Sequence, residues 1–387
     1  MIRKRSFILA SAIALALMLS FAETKAQTAT VFTAGLSQPA KIILTPEGNL
    51  LVTETVGVPN MGRISIIDRF GVRRTLIDGL PSGISDVGDP SGPSGLDLRG
   101  RTLFVAIGSG DGTLAGPIPG TELPNPNPSS PILSSVLAIE FSSEVEKGTQ
   151  GFTLTPADQV TLAHGGKVKL DNGRGDKISV EMVADFPNFV AEPLPFFAPN
   201  VRHSNPFALV VDGDDLYVAD GGMNSVRRVK IANGKIQDVT VFPPRPNPLP
   251  FGPPVIEAVP DGINIIKGQL LVTLLTGFPF VPGQSEVRKV DVRTGDSTTF
   301  IGGRSSAIDI VEGRSKGKET QYYVLEFSTN FLANAPGQLL LFQTPTAAPT
   351  VVAGGLISPS GMTRDPKTGD IYITEIFTGR IIRVQFP

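Results

Sequence analysis

Four carboxylates in this chain close the same kind of apolar run. Glu54 ends Leu50-Leu-Val-Thr-Glu54, Asp220 ends Leu216-Tyr-Val-Ala-Asp220, Glu326 ends Tyr322-Tyr-Val-Leu-Glu326 and Glu375 ends Ile371-Tyr-Ile-Thr-Glu375. A fifth acid, Asp261, stands in the turn Pro260-Asp-Gly-Ile263 that leads another such run. Carboxylates delivered to one narrow mouth repel one another unless a cation neutralises them, and oxygen-only ligation suits calcium. With Asn205, Asn224 or Asn264 added, such an ion would polarise a lactone or ester carbonyl. The same acids have basic neighbours: Arg63 and Arg380 follow Glu54 and Glu375, and Arg227 follows Asp220. A pair clasping each unit would account for these acids without a metal, because ion-pair networks and catalytic sites perturb carboxylates alike.

Other chemistries have less material. Asp86, Asp89 and Asp111 lie in Gly-rich loops, where Asp and Gly also serve tight turns, and their spacing matches no EF-hand. The two histidines are His164 and His203, and His203, beside Ser204 and Asn205, is a candidate proton carrier. Cysteine is absent, which removes thiol catalysis and thiolate metal sites. No nucleophile elbow, His-Glu-x-x-His or phosphate loop occurs.

The elements that must position these residues recur. Turns at Pro39, Pro93, Pro206, Pro260, Ser305 and Pro359 each precede an apolar stretch, a polar turn and a second run. Third runs follow, such as Gly62-Arg-Ile-Ser-Ile-Ile67 and Gly379-Arg-Ile-Ile-Arg-Val384, then fourth runs such as Thr299-Phe-Ile301 and Thr350-Val-Val352. Units of this size cannot bury an apolar face alone and must stack. The last unit lacks a fourth run, but Thr30-Val-Phe-Thr-Ala-Gly35 resembles the fourth runs elsewhere. The expected fold is therefore all-β: a six-bladed β-propeller of four-stranded antiparallel blades, closed by the N-terminal strand pairing with the last blade. The interval from Pro93 to Pro206 is about twice the others. It is assigned to insertions in blade two, at about 111–133 and 142–177, with a degenerate seventh blade as the alternative.

Residues 1–26 have the form of a signal peptide: Arg3, Lys4 and Arg5, an apolar stretch from Phe7 to Phe21, and small residues at Ala22 and Ala26 offering two cleavage points. The expectation is a secreted or periplasmic, monomeric protein formed by residues 27–387 as one propeller domain. A net charge of −2, more negative without the leader's Arg and Lys, gives no support to nucleic-acid binding. Tryptophan is absent, against the propellers built on a Trp-Asp repeat.

Long Pro-rich segments fall between strands two and three and between blades, so they share one face of the ring. They carry Phe196, Phe197, Phe251, Phe278, Phe280 and Phe331. Such a face suits a small apolar ligand or a protein partner, although rings of this kind also pack loops onto blade ends. The leading function is thus a binding or scaffold role without assigned catalysis. The alternative is a calcium-dependent lactonase or esterase whose metal is held at the channel mouth by Glu54, Asp220, Asp261, Glu326 and Glu375.

Two resemblances sharpen this. Val52-Thr-Glu54, Val218-Ala-Asp220 and Ile373-Thr-Glu375 resemble NHL-type repeat ends. Gly92-Pro-Ser-Gly-Leu96 with Leu103-Phe-Val-Ala-Ile-Gly108, Ser204-Asn-Pro-Phe-Ala-Leu209 with Leu216-Tyr-Val-Ala-Asp-Gly221, and Leu274-Leu-Thr-Gly-Phe-Pro-Phe-Val-Pro-Gly283 together resemble the ScyD/ScyE family of exported propellers. That family is named for members encoded with the machinery for an extracellular indolic pigment, and most of its members have no assigned reaction, so the resemblance implies an exported propeller with a scaffold or accessory role. It carries over no catalytic residue, and the chain departs from it in the blade-two insertions and in Ser305-Ser.

Overall fold

The computed structural model describes residues 27–316 and 319–386; the expected leader, residues 1–26, lies outside them. Six small, mainly antiparallel sheets follow one another around a ring. In blade three, for example, the strands are Pro206–Asp212, Asp215–Asp220, Ser225–Lys230 and Ile236–Val241, running from the axis outward. The second strands are buried along most of their length, and Leu50–Glu54 and Ile371–Glu375 along all of it. Neighbouring blades cover both their faces, which is why these runs are continuously apolar and do not alternate. Outer strands such as Ser297–Arg304 have mixed exposure and carry Thr, Gly and Arg.

The ring closes as the sequence predicts. Thr28–Ala34 forms the outer strand of blade six, antiparallel to Arg380–Gln385, with Thr28 opposite Gln385 and Ala34 opposite Arg380. Phe32 packs edge-on against Tyr372 at 5.1 Å, and Leu36, Ile42, Tyr372 and Ile381 fill the seam between blades six and one. Each of the five other seams has its own apolar cluster. Side-chain hydroxyls of the first two strands also tie one blade to the inner strand of the next: Thr374 Oγ1 donates to Ala40 O, Ser360 Oγ to Pro39 O and Thr53 Oγ1 to Ser94 O.

Two details differ from the expected plan. Blades one and two have five strands, not four. The segment after Phe141 folds as two short helices, Ser143–Gly148 and Pro156–Ala163, with Phe152–Thr153 pairing parallel to the outer strand of blade one and Val168–Asp171 edging blade two. The second helix has a local cause, a reciprocal capping box between Thr155 and Asp158 with Pro156 in its first turn. Phe152, Leu154 and Leu162 then join the seam of Leu76, Ile77 and Leu80, so this stretch splints blades one and two and makes no seventh blade. In blade five, Ala307 holds the position of the leading proline, opposite Glu326 as Pro39 is opposite Glu54. The leading turn there is shifted by two residues from Ser305. Among the described residues no helix is long and apolar enough to cross a membrane.

Candidate functional site

The strand-two acids sit one to a blade, each enclosed by donors of its own. Glu54 is fully buried and accepts from Ser37 N, from Ser65 Oγ and from Arg73 Nη2 at 2.7 and 2.9 Å. The arginine is Arg73 from strand four, whereas Arg63, expected from spacing, leaves a buried Nε without a partner. Asp220 accepts from Asn205 N, Met223 N and Ser204 Oγ, with Arg227 Nε at 3.4 Å. Glu326 accepts from Ser305 N and Gln338 Nε2. Glu375 accepts from Ile357 N, Thr378 Oγ1 and both Arg380 nitrogens that face it. In Glu54, Glu326 and Glu375 one oxygen caps the backbone arriving from the preceding blade; Asp220 does this through Asn205. A buried carboxylate saturated in this way holds the incoming chain of one blade to the second strand of the next.

Asp261 lies apart from these four, at the axis. Lys41 Nζ donates to its Oδ1 at 2.6 Å and to Ile308 O at 3.1 Å. Asp309, equivalent in register to Lys41, accepts from Ile310 N and Met362 N. Burial pushes the carboxyls of Asp261 and Asp309 above the ordinary range, and the Lys41 charge opposes that rise. The surrounding channel is about 100 Å³, bounded by Gly95, Ala208, Gly262 and Met362 among others. It is narrow because the inner strands nearly touch: a Cβ on Gly95 would sit 2.5 Å from Ala208 Cα, and one on Gly262 2.5 Å from Ile308 O. The cation beside Asp261 is thus an ammonium that residue spacing did not reveal, contributed by the opposite side of the ring. The asparagines have local partners: Asn205 Oδ1 accepts from Ser109 N, Asn224 Oδ1 from Val259 N, and Asn264 Nδ2 donates to Ile310 O.

The aromatic residues divide. Phe278, Phe280, Phe331 and Phe327 form a chain of rings across blades four and five, with centroid spacings of 6.3, 4.1 and 5.7 Å. Phe327 was not singled out from the sequence, because it stands just past Glu326 and outside the Pro-rich loops. The chain ends in a groove of about 340 Å³ between blades five and six, walled by Phe327, Phe331, Pro336, Ile357 and Phe377. Phe377 is 60% exposed and Ile357 48% exposed. Phe251 lies on the adjoining 243–254 loop, whose Gly252 brings its backbone against the Phe278 ring. Phe196 and Phe197 stand on a separate hairpin that leads into blade three.

Of the loop acids, Asp111 accepts from Ser129 N and Oγ, and Asp89 closes an exposed turn with Ser85. Asp86 instead lies beside His203 and Glu122. Glu122 was missed in the sequence, where it occupies a Pro-rich insertion with no motif around it.

No family model and no curated protein matches the sequence. Solved structures do match in fold. Soluble aldose sugar dehydrogenase from Escherichia coli in its apo-form superposes with a TM-score of 0.53 at 11% identity, covering 93% of this chain and 100% of that one. A putative oxidoreductase (glucose dehydrogenase) from Thermus thermophilus gives 0.51 at 15% identity, covering 92% and 99%. A putative phosphatase from Bacteroides thetaiotaomicron gives 0.50 at 12% identity, covering 92% of this chain and 72% of that one. Identities this low establish a shared propeller and no shared reaction.

Proposed function

We propose that this chain is an exported accessory propeller of the ScyD/ScyE kind, which binds a small planar apolar ligand in the groove between blades five and six. One observation carries the reading: the ring chain Phe278–Phe280–Phe331–Phe327 runs into a groove whose rim residues Phe377 and Ile357 remain open to solvent. A volume of about 340 Å³ falls in the range of small-ligand clefts. Phe327 and Phe331, inclined by only 24°, line the groove with aromatic surface, against which an aromatic guest would pack offset or edge-on. The polar groups at hand, Ser328, Asn334 and Ser358, are few, as expected where shape and apolar contact dominate recognition.

The test is a fluorescence titration of mature, untagged protein with the apolar dye anilinonaphthalene sulfonate. Saturable binding at one site is expected. Phe377→Ser and Phe331→Ser should each weaken it by about thirtyfold, the effect of losing roughly 2 kcal/mol from an aromatic anchor. Phe196→Ser, at a position 66% exposed on another loop, should leave the curve unchanged. Equal binding by all four proteins would overturn the assignment.

A further inference from the structure

We propose that Asp86, Glu122 and His203 form a binding site for one divalent transition-metal ion of the zinc class, clasping three loops on the elaborated face. The three residues come from three independent hairpins. Asp86 lies in the turn between Gly83–Ile84 and Pro90–Ser91, Glu122 starts the return strand of the Thr113–Ala115 hairpin, and His203 ends the hairpin begun at Phe189–Ala191. Their ligand atoms all lie within 4.8 Å of one another. His203 Nδ1 is 2.8 Å from Glu122 Oε2 and 3.6 Å from Asp86 Oδ1. Zinc bonds of about 2.0–2.2 Å place cis ligands roughly 3–3.5 Å apart, so a small rearrangement would seat an ion between them.

A second observation points to a ligand. The Asp86 side chain is only 6% exposed, and its Oδ1, facing His203, has no hydrogen-bond partner. A buried carboxylate oxygen without a donor is costly, and a cation is one of the few species that satisfies it without a donor hydrogen. The electrostatics agree. Burial raises the Asp86 carboxyl, and the neighbouring Glu122 charge adds to that rise. For His203, burial favours the neutral ring, but the Glu122 hydrogen bond and the charges of Glu122, Asp86 and Asp220 outweigh it and raise the imidazolium pKa. The imidazole Nδ1 faces both acids, in the place that a metal would take.

One imidazole and two carboxylates suit a borderline divalent ion. Calcium, which takes six to eight oxygen ligands, is poorly served here. Supporting contacts fix the histidine: His203 N donates to Glu122 Oε2 at 3.2 Å, and Gly222 leaves room for the ring, since a Cβ there would lie 2.8 Å from Cδ2. Three protein ligands leave at least one coordination position for water or a small anion, and His203 and Glu122 keep 17% and 20% of their side-chain surface exposed. In a chain without cysteine, the ion would join loops of blades one, two and three as a disulfide might elsewhere.

The experiment uses chelator-treated, untagged mature protein titrated calorimetrically with zinc, manganese and calcium chlorides. One equivalent of zinc is expected to bind, with calcium much weaker. Asp86→Asn and His203→Ala should each lower zinc affinity by more than about 100-fold, since losing a direct ligand exceeds the tenfold to hundredfold cost of losing an outer-shell partner. His164→Ala, in the distant helix-bearing segment, should bind as wild type does. Affinity should fall on acidification, because imidazole and carboxylate ligands bind a metal only when deprotonated. A zinc-edge anomalous difference map of the wild-type protein tests the site without a variant and should peak between the three side chains. Absence of zinc binding, binding that survives both ligand substitutions, or an anomalous peak elsewhere would overturn the site.

Discussion

Replacing Lys41 by Met is expected to lower the unfolding free energy by about 3–5 kcal/mol at neutral pH, the cost of leaving a buried charge without its partner. Lys41 is buried and its ammonium is within 2.6 Å of Asp261, which is also buried and has Asp309 nearby. Met keeps the stem's packing and removes only the charge and its hydrogen bonds. The pH dependence gives the effect a signature. Both acids already titrate above the usual range, first through burial, with Lys41 holding them down. A carboxyl whose pKa is raised on folding favours the folded state below its unfolded value of about 3.9 and loses that contribution as pH rises through the folded value. Removing Lys41 raises the folded values further. The deficit of the variant, measured by urea unfolding, should therefore be largest at neutral pH and narrow as the solution is acidified. A deficit under about 1 kcal/mol, or one that does not change with pH, would show that the channel does not depend on this pair.

Arg73→Leu should cost about 3 kcal/mol, because it strands the Glu54 carboxylate with only Ser37 N and Ser65 Oγ. Arg73 keeps some solvent contact, which places the expected value at the lower end of that range. The double variant Glu54→Leu/Arg73→Leu should recover most of the loss, since a buried ion pair replaced by packed apolar side chains is close to neutral. A double-mutant cycle by denaturant unfolding isolates the coupling. Added calcium should leave it unchanged if Arg73 is the cation that Glu54 serves; restoration of stability by calcium would contradict the pairing.

The architecture was legible because it rests on repetition. Pro39, Pro93, Pro206, Pro260 and Pro359 mark the inner strands, and Thr30–Gly35 could be matched to the outer ones by composition alone. The shifted turn at Ala307 was hidden because that blade has no leading proline and the nearby serines imitate the pattern. The helices at 143–148 and 156–163 lie in the stretch assigned to an insertion at about 142–177; Thr155-Pro-Ala-Asp158 is a capping box, but a single box without a repeat partner says nothing of how the insertion packs. At the level of sites, residue type gave the acids but not their partners. Arg73 lies beyond the intervening strand Gly62–Ile67 from Glu54, and Lys41 is 220 positions from Asp261, so neither pair leaves a trace in local spacing. Glu122 is similar, since only the meeting of three hairpins gives it a role. The rings Phe278, Phe280 and Phe331 were named for their loops, and their continuity through Phe327 to Phe377 is a property of adjacent blades.

The groove itself is tested most directly by a crystal structure of residues 27–387 soaked with a planar bicyclic aromatic such as indole. Density for the ring is predicted between Phe331 and Phe377, over Phe327 and beside Ile357. Ordered indole bound elsewhere on the ring, with this groove empty while binding in solution persists, would contradict the account.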